Sequence, residues 1–137
     1  MKTAILFQLN YISIFAAAAV YFLMGAVWYT PKVFALKTMH FNYIKPGGRD
    51  NPRKIMTIAF MSSLTSAFVL GYFINAINAA SYAAVLTIGI ISSLFLLGAT
   101  VGLSYMFEDR KVKLYLSDAG YHLTGFMIMS LIIAFMR

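Results

Sequence analysis

Two ionisable side chains sit inside an apolar stretch near the C-terminus: Asp118 and His122, within Ser117-Asp118-Ala119-Gly120-Tyr121-His122. Four residues apart, they share one face of a helix and come within bonding reach. Imidazole changes charge near neutral pH, so an acid–imidazole couple can hold and release one proton. Ionisable groups at bilayer depth are costly to bury and mark pathways or binding sites by default. Gly125 continues the same face and leaves room for a partner helix. A purely structural use of these residues is also open. Ser117 can cap the last helix, with Asp118 in its first turn where a carboxylate complements the helix dipole. His122 then simply donates to a carbonyl.

A second group, Trp28-Tyr29-Thr30-Pro31, ends the first apolar stretch. It reads either as an aromatic belt anchor with a proline stop, or as a wall, Trp28 and Tyr29, of a pocket closed by Asp118 and His122. Ser62, Ser63, Thr65 and Ser66 can line a polar path, or bond back to their own helix carbonyls, which is the commoner use. Enzyme chemistry finds little material. The histidines are His40 and His122, the acids Asp50, Glu108, Asp109 and Asp118, and there is no cysteine. Asp118 and His122 offer two ligands where a zinc site takes three or four. The expectation is therefore no catalytic residue, no metal and no cofactor, with a lipid-acting enzyme as a minor alternative.

The elements that must position these groups follow from composition. Of 137 residues, 61% are hydrophobic and 11% charged, against about 25% charged in a soluble domain. So few polar groups cannot cover a water-soluble fold of this size, and disorder needs the opposite balance. A spanning helix takes about 20 mostly apolar residues, and four stretches qualify: about 11–29, 55–77, 82–107 and 117–136. Backbone groups in lipid must be satisfied internally, so each is expected to be helical. The fold class is thus all-α integral membrane, with one four-helix domain over 1–137. The N-terminus imitates a signal peptide, but its apolar run continues too far for one and is read as a retained helix.

Net charge is +7, and its distribution predicts orientation. Nine of the eleven basic residues fall between the first two stretches or between the last two. By the positive-inside rule those loops are cytoplasmic and both termini outside, in the cell membrane. Basic residues so placed fit a membrane surface rather than nucleic acid. Loop 31–54 reads as partly interfacial, with Lys32, Lys37 and Lys45 near lipid headgroups. At its end Asn51-Pro52 reads as an N-cap followed by proline at the first helical position.

Helices in lipid associate through small residues and interhelical hydrogen bonds. Gly98 and Gly102 form a GxxxG pair that admits another backbone. Ala59, Ser63, Ala67 and Gly71 form a ladder on one face of the second span, and Ala17 and Gly25 lie on the first. These serve either one bundle or a homo-oligomer contact; a pore through four short helices favours the homo-oligomer. Phe22-Leu-Met-Gly-Ala26 weakly echoes Phe95-Leu-Leu-Gly-Ala99, which leaves a duplicated hairpin conceivable.

Gly25-Ala-Val-Trp28-Tyr29-Thr-Pro31 and Asp118-Ala-Gly120-Tyr121-His122 resemble the motifs of a membrane family catalogued as domain of unknown function 1761. The resemblance covers nearly the whole chain in length and layout. It implies a small multi-pass membrane protein without an established activity, and it gathers Trp28, Tyr29, Pro31, Asp118, Gly120, Tyr121 and His122 into one candidate site. The leading expectation is an oligomeric small-solute or ion transporter or channel using Asp118 and His122. The alternative is a non-catalytic scaffold or lipid-binding protein using the basic loop.

Overall fold

A computed structural model describes residues 2–28 and 51–137. Tyr29, Pro31, Lys32, Lys37, Lys45 and the interfacial reading of their loop lie outside the described residues. All regular structure among the described residues is helical: α1 (Lys2–Phe7), α2 (Tyr11–Trp28), α3 (Pro52–Ala76), α4 (Tyr82–Ile91), α5 (Ala99–Phe107) and α6 (Val112–Phe135). A π-helical stretch, Ser92–Gly98, joins α4 to α5, so residues Tyr82–Phe107 form one continuous rod. Four rods are long and apolar enough to cross a membrane: Tyr11–Trp28, Arg53–Ala76, Tyr82–Phe107 and Val112–Phe135.

Helix ends follow local chemistry. The Asn51 side chain accepts from the Arg53 amide at 3.0 Å with Pro52 beginning α3, as its Asn-Pro pair predicts. Asn10 caps α2 through the Ile12 and Ser13 amides, and Ser81 caps α4 through that of Ala84. Both tight connections place a polar residue in the left-handed region, Asn78 at φ 58° and Asp109 at φ 49°. In each, an amide returns to the carbonyl five residues earlier, Ala79 to Ile74 and Arg110 to Tyr105. That is the Schellman closure, with Asn and Asp tolerating a conformation that Gly more often supplies.

The last span differs from expectation. It starts at Val112 rather than near Ser117, with Lys111 at the N-cap position. Val112, Leu114 and Leu116 are apolar enough to keep the helix going, and a lysine stem can lie along an apolar surface while its ammonium seeks water.

Consecutive spans run antiparallel. The α2–α6 pair forms the spine, with α3 packed on α2 and α4 on α6; α3 and α4 touch each other far less. The core between them holds Ile14, Ala17, Ala18, Leu70, Met129 and Ile133. Large apolar side chains such as Phe15, Leu23, Phe95 and Leu103 face outward, as suits surfaces solvated by lipid tails.

The small residues work within this bundle. Ala17 and Ala67 are fully buried, and a Cβ on Gly71 would meet Ile14 at 3.3 Å. Ala59 alone of its ladder is exposed. The GxxxG pair admits a ring rather than a backbone: Gly102 lies under Tyr115, whose hydroxyl donates to the Gly98 carbonyl at 3.1 Å. The echoed pentapeptides also part company, since Phe22–Ala26 is α-helical while Phe95–Gly98 lies in the π stretch.

Candidate functional site

The site grows from a reciprocal crossing of α2 and α6. Each helix carries Tyr-x-x-x-Gly, Tyr21 with Gly25 and Tyr121 with Gly125. In an antiparallel pair, each tyrosine falls opposite the other helix's glycine. A Cβ on Gly25 would stand 2.7 Å from the Tyr121 hydroxyl oxygen, and one on Gly125 would overlap the Tyr21 ring. The two rings thereby stack, centroids 5.0 Å apart and planes 12° from parallel. The Tyr121 hydroxyl donates to the Tyr21 carbonyl at 3.2 Å. Trp28 lies against Gly120, its ring centroid 6.2 Å from that of Tyr121.

This crossing positions the ionisable couple. His122, next to Tyr121, pairs through Nδ1 with the Tyr21 hydroxyl at 2.5 Å. One turn earlier, Asp118 Oδ2 accepts from the hydroxyl of Tyr105, which α5 contributes. Asp118 and His122 lie one helical turn apart on α6. Three rods therefore meet here, and each member of the couple is held by a phenol from a different one. Tyr105 is itself braced: the Tyr115 ring packs edge-on at 5.9 Å, and the Arg110 guanidinium lies 5.4 Å from its ring centre while pairing with Glu108.

The chemistry such an arrangement permits is proton exchange. With His122 neutral and its proton on Nε2, Nδ1 accepts from the Tyr21 hydroxyl. Once His122 is cationic both ring nitrogens donate, and the Tyr21 oxygen becomes the acceptor. Protonation therefore reverses the bond to α2 without breaking it. The nearby Asp118 carboxylate would balance the charge gained.

Several expectations are decided by this geometry. Ser117 does not cap the helix and Asp118 is not in its first turn, because α6 begins at Val112. Asp118 thus sits about 9 Å along the axis, at about 1.5 Å per residue, beyond the reach of the terminal amides. On α3, Ser63 and Thr65 bond back to the Ala59 and Met61 carbonyls at 3.0 and 2.9 Å, so neither opens a polar path. Sequence reasoning missed Tyr21 and Tyr105, the two groups that hold the couple. For Tyr21 a signal existed in the repeated Tyr-x-x-x-Gly; Tyr105 lacked one, since its pairing with Asp118 depends on the α5–α6 turn.

The family described as Protein of unknown function (DUF1761) matches residues 12–134. The chain belongs to this family. No curated protein and no solved structure matches it. It is thus a multi-pass helical membrane protein of a family whose function is unassigned, and both motifs that suggested the family meet at the α2–α6 crossing, Trp28 against Gly120 and Tyr121.

Proposed function

We propose that this protein moves protons, alone or with a small solute, across the cell membrane, with Asp118 and His122 as the exchanging groups. One observation carries the reading: a carboxylate and an imidazole inside the bundle are tied to different neighbouring helices through side chains alone. A change of protonation at either group is felt directly by α2 or α5. A helix-end ornament would couple to nothing but its own backbone.

In this reading the α5–α6 end faces the cytoplasm with both termini outside, following the basic residues of the loops. Protons enter beside Arg110 and Tyr105, reach Asp118, and pass to His122 and Tyr21. Ile14, Ala17 and Met129 form the apolar barrier beyond, and the assembly is a homo-oligomer. No step calls for a catalytic residue, metal or cofactor.

The test is flux in liposomes holding a pH-sensitive dye. Native protein should dissipate an imposed proton gradient, and Asp118→Asn should reduce that flux at least tenfold while leaving the protein folded. Equal flux in both, or no flux above empty liposomes, would overturn the reading.

A further inference from the structure

The weak contact between α3 and α4 leaves a cleft of about 180 Å³ open to the side of the bundle. Val69, Phe73, Leu96 and Leu97 supply apolar walls, and Phe126 forms the floor. Against that background stand three hydroxyls. Thr65 is already spent on the Met61 carbonyl. Ser66 on α3 and Ser92 at the start of the π stretch also line the cleft, and neither hydroxyl bonds back to its own helix in the way that Ser63 and Ser130 do. Ser92 is only 6% exposed.

An unmatched hydroxyl in apolar surroundings costs about 1–3 kcal/mol, and serine on a helix ordinarily recovers this from its own carbonyls. Ser63 and Ser130 do so, at 3.0 and 2.7 Å. Ser66 and Ser92, from different rods, are the two serines that line the cleft. Ser66 is near the middle of α3 (Pro52–Ala76), and Ser92 is ten residues into the rod Tyr82–Phe107. Both therefore lie toward the bilayer centre, too deep for the ester carbonyls of a phospholipid anchored at the surface. Water is scarce at that depth.

We propose that this cleft binds a small lipophilic carbonyl compound, a ketone or quinone ring that partitions into the hydrocarbon core. Its carbonyl oxygen accepts from Ser66 and Ser92, and its apolar body lies against Phe73, Leu96 and Phe126. The volume suits one or two rings; drug-sized ligands take roughly 300–1,000 Å³. A π stretch often marks a functional position in a helix, and here it carries one of the two donors. The floor residue also links the cleft to the couple, since Phe126 packs edge-on against Tyr21 with centroids 5.9 Å apart. The cleft stands independently of the proton-transfer reading.

Benzophenone tests this, because its carbonyl is both the acceptor and the photoreactive atom. The full chain in phosphatidylcholine nanodiscs is irradiated with it and the adducts are mapped by mass spectrometry. Adducts should concentrate at Val69, Phe73, Leu96 and Leu97, and Ser66→Ala with Ser92→Ala should reduce them at least fivefold. On the native chain, camphor should compete at least fivefold better than bornane, the same cage without the carbonyl. Adducts spread evenly over lipid-facing α2, labelling unchanged in the double variant, or equal competition by bornane would each overturn the proposal. The last result would make the cleft an oil-filled gap, and it does not depend on any variant folding.

Discussion

The two ends of the bundle both hold polar groups, but they use them differently. At the α3–α4 end, Arg137 donates to the carbonyls of Ala79 and Ile74 at 2.6 and 3.1 Å, and Asn10 to that of Met136 at 2.6 Å. These acceptors lie where helices finish and carbonyls run out of intrahelical partners. Toward the α5–α6 end, Tyr21 pairs with His122 and Tyr105 with Asp118. Here side chain meets side chain, across helices, at positions where the backbone needs no help. The first pattern closes a fold. The second ties titratable groups together, and the energy spent on it has no structural debt to settle.

If that contrast is right, the largest effects come from the crossing that builds the second pattern. Gly125→Ala pushes a Cβ into the Tyr21 ring. Neither a ring stacked on Tyr121 nor a helix backbone yields cheaply, so a loss of about 1–3 kcal/mol in unfolding from detergent is expected, as for an overpacked core. Gly120→Ala is the matched control. Its Cβ would meet Trp28 at an ordinary 3.6 Å, and stability should stay within about 0.5 kcal/mol. A Gly125→Ala variant as stable as the Gly120→Ala one would mean that the two tyrosines are not seated on the glycines.

Next come the phenols. Tyr21→Phe and Tyr105→Phe keep the rings and delete the hydroxyls, leaving His122 or Asp118 short of a partner. Each should cost about 1–3 kcal/mol and, in the proposed mechanism, slow proton flux. Combining either with Asp118→Asn should slow flux no further than Asp118→Asn alone, because the groups act in series. Additive losses would show that they belong to separate functions.

How far this was legible beforehand depends on whether a feature is local. Span positions were readable because hydrocarbon thickness imposes length and composition on each segment by itself; the third span matches its expected range and the first starts at Tyr11 as expected. Asn51-Pro52 was readable for the same reason. The start of α6 was not, since Lys113 and Ser117 look like a boundary, whereas the helix already begins at Val112 and packs Tyr115 over Gly102. Asp118 and His122 stood out as ionisable residues in an apolar stretch, whereas Tyr105 is one of nine tyrosines, and nothing local distinguishes it. The π stretch was equally hidden: Ser92-Ser93 in an apolar run reads as ordinary helix.

A smaller effect is expected at the other end. Arg137→Gln removes a cation from the last carbonyls of α3, where it complements the negative end of the helix. Arg137 is exposed, so the loss should be near 1 kcal/mol, roughly what a cation near a helix C-terminus contributes. Proton flux per folded molecule should not change. A large change in flux would erase the distinction between the two ends and make Arg137 part of the pathway.

An effect of similar size sharpens the contrast from within the α5–α6 end itself. The Tyr115 hydroxyl donates to a backbone carbonyl, that of Gly98, so by the argument above it belongs with the structural pattern despite its place beside Tyr105. Tyr115→Phe should leave the ring on Gly102 and lose one neutral hydrogen bond, about 0.5–1.5 kcal/mol, with flux intact. Tyr105→Phe, one ring away, should slow flux. If the two variants behave alike, proximity to the couple matters and the identity of the acceptor does not. If they diverge, the acceptor of each hydroxyl, carbonyl or carboxylate, separates the residues that hold this bundle together from those that move its protons.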